Sequence, residues 1–262
     1  ATGEHTPGRW VWAELFTDDV DAAKTFYGQA FGWEFEMLGS GEGAYTLIRN
    51  QGSAIAGIIY HQKENQTGSS GRWLGLMSVA DVGSAVSQAT NAGGKVLVQP
   101  KHLKGRGETA VLADPEGALF GVVYSDSGDP ADIFPPFNGW LWSELWAHNA
   151  DSMAEFYGKV GGYQTKAVQS ADEPSEVYLV ASDYPRAGIV EIERKDIPSN
   201  WLPYVRVQNL EQTLARITAA GGELIVAPSP DIRQGKVAVV ADPLGAVFGV
   251  AQWSEEIARS EP

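Results

Sequence analysis

The sequence predicts an α+β protein of two tandem units, each a pair of βαβββ modules whose mixed sheet curls around a concave cavity. Three observations predict it. A block running Trp12-Ala13-Glu14-Leu15, Asp21, Phe26-Tyr27-Gly28 and Gly32 returns 130 residues later as Trp142-Ser143-Glu144-Leu145, Asp151, Phe156-Tyr157-Gly158 and Gly162. A second block, Trp73-Leu74, Ala92-Gly93-Gly94, Asp114-Pro115, Gly117 and Phe120-Gly121, returns 128 residues later and ends at Phe248-Gly249. A fainter echo inside each unit sets Asp19-Val20, Ala23 and Gly32 against Asp81-Val82, Ala85 and Gly94, and Gly161-Gly162 against Gly221-Gly222. Recurrence at a fixed spacing marks repeated structural units.

Each element has its own signal. Val11 to Phe16 is a short apolar strand, and Asp18-Asp19 after it is a helix start. Ala22, Ala23, Phe26 and Tyr27 recur at helical spacing, and Gly28 and Gly32 punctuate the exit. Phe26, Tyr27, Phe156 and Tyr157 therefore read as core. Trp33–Leu38, Ala44–Ile48 and Ala54–Tyr60 follow as strands between Gly/Ser/Asn turns. The second module opens with a strand at Leu74–Val79 and a helix over Val82–Asn91. Asp114-Pro115-Glu116-Gly117 and Asp242-Pro243-Leu244-Gly245 suit type I turns, with Asp first, Pro second and Gly fourth, each closing a hairpin.

The units fall at 8–125 and 139–254, and the Pro/Gly/Asp-rich residues 126–138 make the linker. The absence of cysteine excludes disulfides, thiolate metal sites and cysteine nucleophiles. A formal charge of −14 repels phosphate backbones and anionic lipid, so no nucleic-acid partner is expected. No run approaches the roughly 20 apolar residues of a membrane span, so no membrane insertion is expected either. A small-molecule partner fits, on a monomer or homodimer. The chain starts at Ala1, which is compatible with a cytoplasmic protein or with an exported form whose leader has been removed.

The strand-to-helix block ending Phe26-Tyr27-Gly28 and Phe31-Gly32-Trp33, the helix end Ala92-Gly93-Gly94 and the hairpin Ala113 to Ala118, with their second copies, resemble the vicinal oxygen chelate superfamily of glyoxalase I, bleomycin-resistance proteins and extradiol dioxygenases. The resemblance covers nearly the whole chain. It implies two tandem glyoxalase-like domains, and leaves open many chemistries, because one fold hosts several. It also implies a divalent metal on the concave face, held by His or Gln on the first strand and Glu on the last strand of each half. Carried across by spacing, those positions are Trp12, Leu74 and Gly121 in the first domain and Trp142, Leu202 and Gly249 in the second. The remaining position falls near Gly57–Ile59 and Gly188–Val190, with Glu191 adjacent. None of the six named side chains coordinates a metal, so no cofactor is expected. Of the four histidines, His5 falls in a frayed terminus, His102 in a solvated basic loop at Lys101–Arg106, and His61 is solvent-facing. His148 lies close enough to Glu144 in sequence to offer a rebuilt metal site.

Strand alternation shows what replaced the ligands. One face of the first strand carries Trp10, Trp12, Glu14 and Phe16, and its second copy Trp140, Trp142, Glu144 and Trp146. By the family geometry this face lines the cavity. Seven of the nine tryptophans (these five with Trp73 and Trp201) sit on the four first strands. Gly121 and Gly249 are expected to add room. Leu202, Tyr204 and Arg206 share the corresponding face in the second domain, where Arg206 is placed to neutralise Glu144, while Leu74, Leu76 and Ser78 give Glu14 no such partner. The expected ligand-binding residues are Trp12, Glu14, Trp142, Glu144, Trp146, Tyr204 and Arg206, for a flat or cationic molecule. The alternatives are a lyase, isomerase or dioxygenase in which Glu14 or Glu144 is the general base, and a structural protein whose tryptophans fill the cup.

Overall fold

A computed structural model of the protein describes residues 2–41, 43–63, 69–168 and 175–254. The first module is β1 (Trp10–Thr17), α1 (Val20–Phe31), β2 (Glu34–Leu38), β3 (Tyr45–Asn50) and β4 (Ser53–Tyr60). The second is β5 (Gly71–Ser78), α2 (Val82–Asn91), β6 (Lys95–Leu103), β7 (Gly107–Ala113) and β8 (Leu119–Ser125). The third is β9 (Trp140–Ala147), α3 (Ala150–Gly161), β10 (Gln164–Val168), β11 (Glu176–Ala181) and β12 (Tyr184–Glu191). The fourth is β13 (Asn200–Arg206), α4 (Leu210–Ala219), β14 (Glu223–Val226), β15 (Val237–Ala241) and β16 (Val247–Ala251). The βαβββ order thus occurs four times. No helix among the described residues is long and apolar enough to cross a membrane.

Local chemistry sets these elements. All four helices start from an Asp or Asn whose side chain accepts an N–H three residues on: Asp19 from Ala22, Asp81 from Ser84, Asn149 from Ser152 and Asn209 from Gln212. α1 and α3 end on Gly32 and Gly162, whose φ of 68° and 69° is a left-handed stop that a Cβ would oppose. In each Asp-Pro turn the Asp Oδ1 accepts two backbone N–H groups, those of Glu116 and Ala118 on Asp114 and those of Leu244 and Ala246 on Asp242.

The strands form two open, eight-stranded mixed sheets, ordered β2-β3-β4-β1-β5-β8-β7-β6 and β10-β11-β12-β9-β13-β16-β15-β14. Within each module the first strand pairs in parallel with the last, and the other neighbours run antiparallel. The small face of the first strands is buried as alternation predicts, with Ala13, Leu15 and Thr17 on β1 and Leu145 and Ala147 on β9.

The chain divides into two compact units that cut across the sequence repeat. Unit one combines residues 1–12, 74–133 and 142–202, and unit two combines 13–73, 134–141 and 203–262. In unit one α2 packs on α3, over a core that includes Met77, Leu112, Phe120, Leu145, Phe156 and Tyr157. In unit two α1 packs on α4, over a core that includes Leu15, Phe26, Tyr27, Ile58, Val205 and Phe248. Each core therefore takes one module from either half of the chain.

Several expectations are corrected here. Trp10 packs on the unit-one core with its ring 4.4 Å from that of Trp201, and Trp140 packs on the unit-two core 5.1 Å from Trp73. Trp73 and Trp201 are buried and donate their Nε1–H to Tyr27 and Tyr157. Trp73 and Trp201 are thus core, and Trp10 and Trp140 pack against the cores as partly buried rings. His5 is not frayed: it stacks on Tyr124 at 4.1 Å, and its Nε2 bonds the Ser125 carbonyl at 2.7 Å. β6 runs to Leu103, so Lys101 and His102 belong to a strand rather than a loop, and His102 pairs with Asp126.

Candidate functional site

The same pairing recurs in every module, two residues beyond the first-strand position discussed above. Glu14 lies opposite Gly57, Leu76 opposite Gly121, Glu144 opposite Gly188 and Tyr204 opposite Gly249. Each glycine makes space that a neighbouring side chain enters. A Cβ on Gly121 would sit 2.9 Å from Leu76 Cγ, and one on Gly249 would fall on the Tyr204 ring. Gly121 and Gly249 therefore do not add room. Leu76 and Tyr204, both buried, have taken it.

At the acidic positions the glycine admits a polar group instead. A Cβ on Gly57 would meet the Tyr45 hydroxyl and lie 2.6 Å from Glu14 Oε2. Tyr45 donates to Glu14, at 2.8 Å from Oε2. Tyr45 is thus the partner that the sequence did not reveal, and it meets the requirement that a buried carboxylate be hydrogen-bonded. In unit one a Cβ on Gly188 would meet Glu176 Oε1 and lie 3.1 Å from Trp142 Cζ2. Glu144 accepts from Trp146 Nε1 at 2.9 Å. Glu14, Glu144 and Glu176 are each only 8% exposed.

Aromatic rings complete these surfaces. Trp142 meets Tyr178 edge-on at 5.8 Å, and its buried Nε1 has no hydrogen-bond partner among the described residues. Trp12, also in unit one, carries the Arg106 guanidinium over its ring at 4.2 Å. Arg106 is half-buried at the end of the turn after β6, so this member of the basic loop is not simply solvated. The sequence-predicted residues Trp142, Glu144 and Trp146 come together in unit one. Tyr204 and Arg206 belong to unit two, where the Arg206 guanidinium lies over Phe137 at 4.0 Å and Phe134 at 4.5 Å and donates to the Trp253 and Pro135 carbonyls. Tyr45 and Glu176 were missed. They stand 131 residues apart and take equivalent places at the starts of β3 and β11, a correspondence that the strand register gives.

Family models match the chain twice, as the Glyoxalase/Bleomycin resistance protein/Dioxygenase superfamily over residues 9–122 and as a glyoxalase-like domain over residues 144–251. The chain belongs to this superfamily. A Mycobacterium tuberculosis protein, CFP32, described as a candidate glyoxylase, is 29% identical over 94% of this chain and 95% of its own. The anthracycline biosynthesis protein DnrV of Streptomyces peucetius is 27% identical over 95% of this chain and 94% of its own. Among solved structures, the Mn(II)-bound glyoxalase from Novosphingobium aromaticivorans superposes with a TM-score of 0.61 at 17% identity, covering 94% of this chain and 83% of that one, which speaks for the fold.

The positions that the resemblance assigns to metal ligands carry other residues in this chain. Trp12, Leu74, Gly121, Trp142, Leu202 and Gly249 present no coordinating side chain, and Gly57 and Gly188 occupy the remaining positions opposite Glu14 and Glu144. This donor set does not fit a divalent ion held in the usual way. The His148 Nδ1 is buried without a partner among the described residues, while its backbone N–H donates to Glu116 at 2.7 Å. No group of three or more His, Asp or Glu side chains among the described residues is arranged to hold a metal.

Proposed function

We propose that this protein is a metal-independent, glyoxalase/bleomycin-resistance-like binder of a small aromatic or cationic molecule. The observation that carries this reading is the pairing of buried acid and aromatic ring on one strand face, Trp12 with Glu14 and Trp142 with Glu144, at and beside the positions where superfamily enzymes hold their ion. Such a face suits flat rings, with cation–π contact contributing about 0.5–2 kcal/mol per well-placed ring. Relatedness to a protein named for anthracycline biosynthesis, a chemistry of fused flat rings, supports an aromatic ligand. The direct test is elemental mass spectrometry of the protein before and after incubation with Ni, Zn, Fe and Mn, followed by tryptophan-quenching titrations with aromatic compounds. Retained metal near one ion per domain would overturn the reading, whereas metal-free protein quenched saturably by an aromatic ligand is the expected result.

Relatedness to CFP32 favours a second reading, a lyase of the same superfamily with Glu14 or Glu144 as general base. Under that reading Glu144→Gln abolishes turnover while leaving ligand quenching in place. Under the first reading there is no turnover to lose.

A further inference from the structure

Building on the binding reading above, we infer that the two domains differ in charge preference: the Trp142 site of the second domain takes a cationic aromatic molecule, with Glu176 as its specificity-determining residue, while at Trp12 of the first domain the cation's place is held by the protein's own Arg106. Three comparisons converge on this. Tyr45 and Glu176 are equivalent in the repeat and enter the space over equivalent glycines, Gly57 and Gly188. In the first domain that residue is a neutral phenol donating to Glu14 at 2.8 Å. In the second it is an acid, so the same position brings a second carboxyl group beside that of Glu144.

The rings differ in the same direction. The face of Trp12 already holds a guanidinium at 4.2 Å, the geometry an exogenous aromatic-bound cation would adopt. By the 128-residue offset, the residue corresponding to Arg106 is Gln234, which carries no charge. Trp142 is flanked by Tyr178 and Glu176, and its Nε1–H is buried and unmet among the described residues. An unmet buried donor costs free energy, which an acceptor on a ligand removes. The ligand class that answers all three features is a benzylic or larger aromatic amine, protonated at neutral pH and carrying an oxygen acceptor.

The test uses three matched probes on the full chain by isothermal calorimetry: 4-methoxybenzylammonium, neutral 4-methoxybenzyl alcohol and 4-methoxybenzoate. The ammonium is expected to bind once per chain, about tenfold tighter than the alcohol, with the carboxylate weakest. Glu176→Tyr, which installs the first domain's residue, and Glu176→Gln are each expected to abolish the preference for the ammonium, with near-ultraviolet circular dichroism confirming the fold. Arg106→Gln combined with Tyr45→Glu, which gives the first domain both features of the second, is expected to raise the ammonium stoichiometry towards two. Equal or tighter binding of the carboxylate, or ammonium affinity unchanged in both folded Glu176 variants, overturns the assignment of Glu176. Stoichiometry staying at one in folded Arg106→Gln/Tyr45→Glu, set against folded Tyr45→Glu alone, overturns the role given to Arg106. Alcohol binding without ammonium preference overturns the inference and leaves the binding reading standing, and failure of all three probes to bind overturns both.

Discussion

Tyr157 donates to Asp114 Oδ2 at 2.8 Å and accepts from Trp201 Nε1 at 2.9 Å, and Tyr27 does the same with Asp242 and Trp73. Each triad is buried and joins three modules. Burial first, then the neighbouring aspartate, pushes both phenols well above their ordinary 10, and burial pushes Tyr163 up as well. Burial also raises Asp114 and Asp242 above 3.8. Replacing Tyr157 by Phe leaves the Trp201 N–H and an Asp114 oxygen without this partner, and is expected to cost about 1–3 kcal/mol in urea unfolding at pH 7. The pH dependence follows from the direction of the shifts. A phenol that holds its proton more tightly when folded contributes stability that is complete below pH 10 and lost as the pH rises beyond it. Unfolding midpoints measured from pH 8 to 11 are expected to fall above 10, and to fall less steeply in Tyr27→Phe/Tyr157→Phe. The two aspartates act with the same sign at lower pH, their contribution being complete below 3.8 and lost as the pH rises through their raised values.

At the scale of the elements, the N-terminus of α3 is held by more than its own cap. Glu116, from the tip of the β7–β8 hairpin, accepts the His148 N–H at 2.7 Å, the Asn149 N–H at 2.9 Å and the Ser199 hydroxyl at 2.5 Å. Glu191 accepts the Ala150 N–H at 3.0 Å. A carboxylate here satisfies N–H groups with no helical acceptor and faces the positive end of the helix. The other copy of the hairpin carries Leu244, which instead offers its carbonyl to Ser70 and Gly71. Glu116→Ala is therefore expected to cost about 1–2 kcal/mol and to lower the calorimetric Tm. Glu116→Gln, which retains an acceptor, should recover part of that loss.

For the whole molecule, the cores decide what counts as an independent piece. Because α2 packs on α3 and α1 on α4, a cut at the linker divides both cores. The linker itself is strapped down within each unit: Asp129 accepts from Thr6 and Ser78, and Asp132 pairs with Arg9 and Arg186, all in unit one. In unit two the Phe137 carbonyl accepts from Asn50 and the Asn138 carbonyl from Trp33. A chain ending at residue 125 is expected to expose the faces of α1 and α2 and to self-associate or lose fixed packing. Sedimentation velocity and near-ultraviolet circular dichroism check this, and a well-packed monomer would count against the division into these units.

The sequence by itself determined the four modules, the helix start at Asp18-Asp19, the Asp-Pro turns and the buried aliphatic face of β1 and β9. The modules rest on recurrence along the chain, and the rest on spacing within some ten residues, where backbone geometry forces the periodicity. It also exposed the superfamily, since that follows from matched blocks of residues. Only the tertiary structure decided that Trp73 and Trp201 are core with Trp10 and Trp140 packed against the cores, that Tyr45 serves Glu14, that Glu176 shares the space over Gly188 with Trp142, that Arg106 covers Trp12 and that Leu76 and Tyr204 fill the space at Gly121 and Gly249. These depend on which strands pair, in what register, and on which modules share a core. Segments far apart in the chain meet by complementary packing, and local spacing carries no record of it.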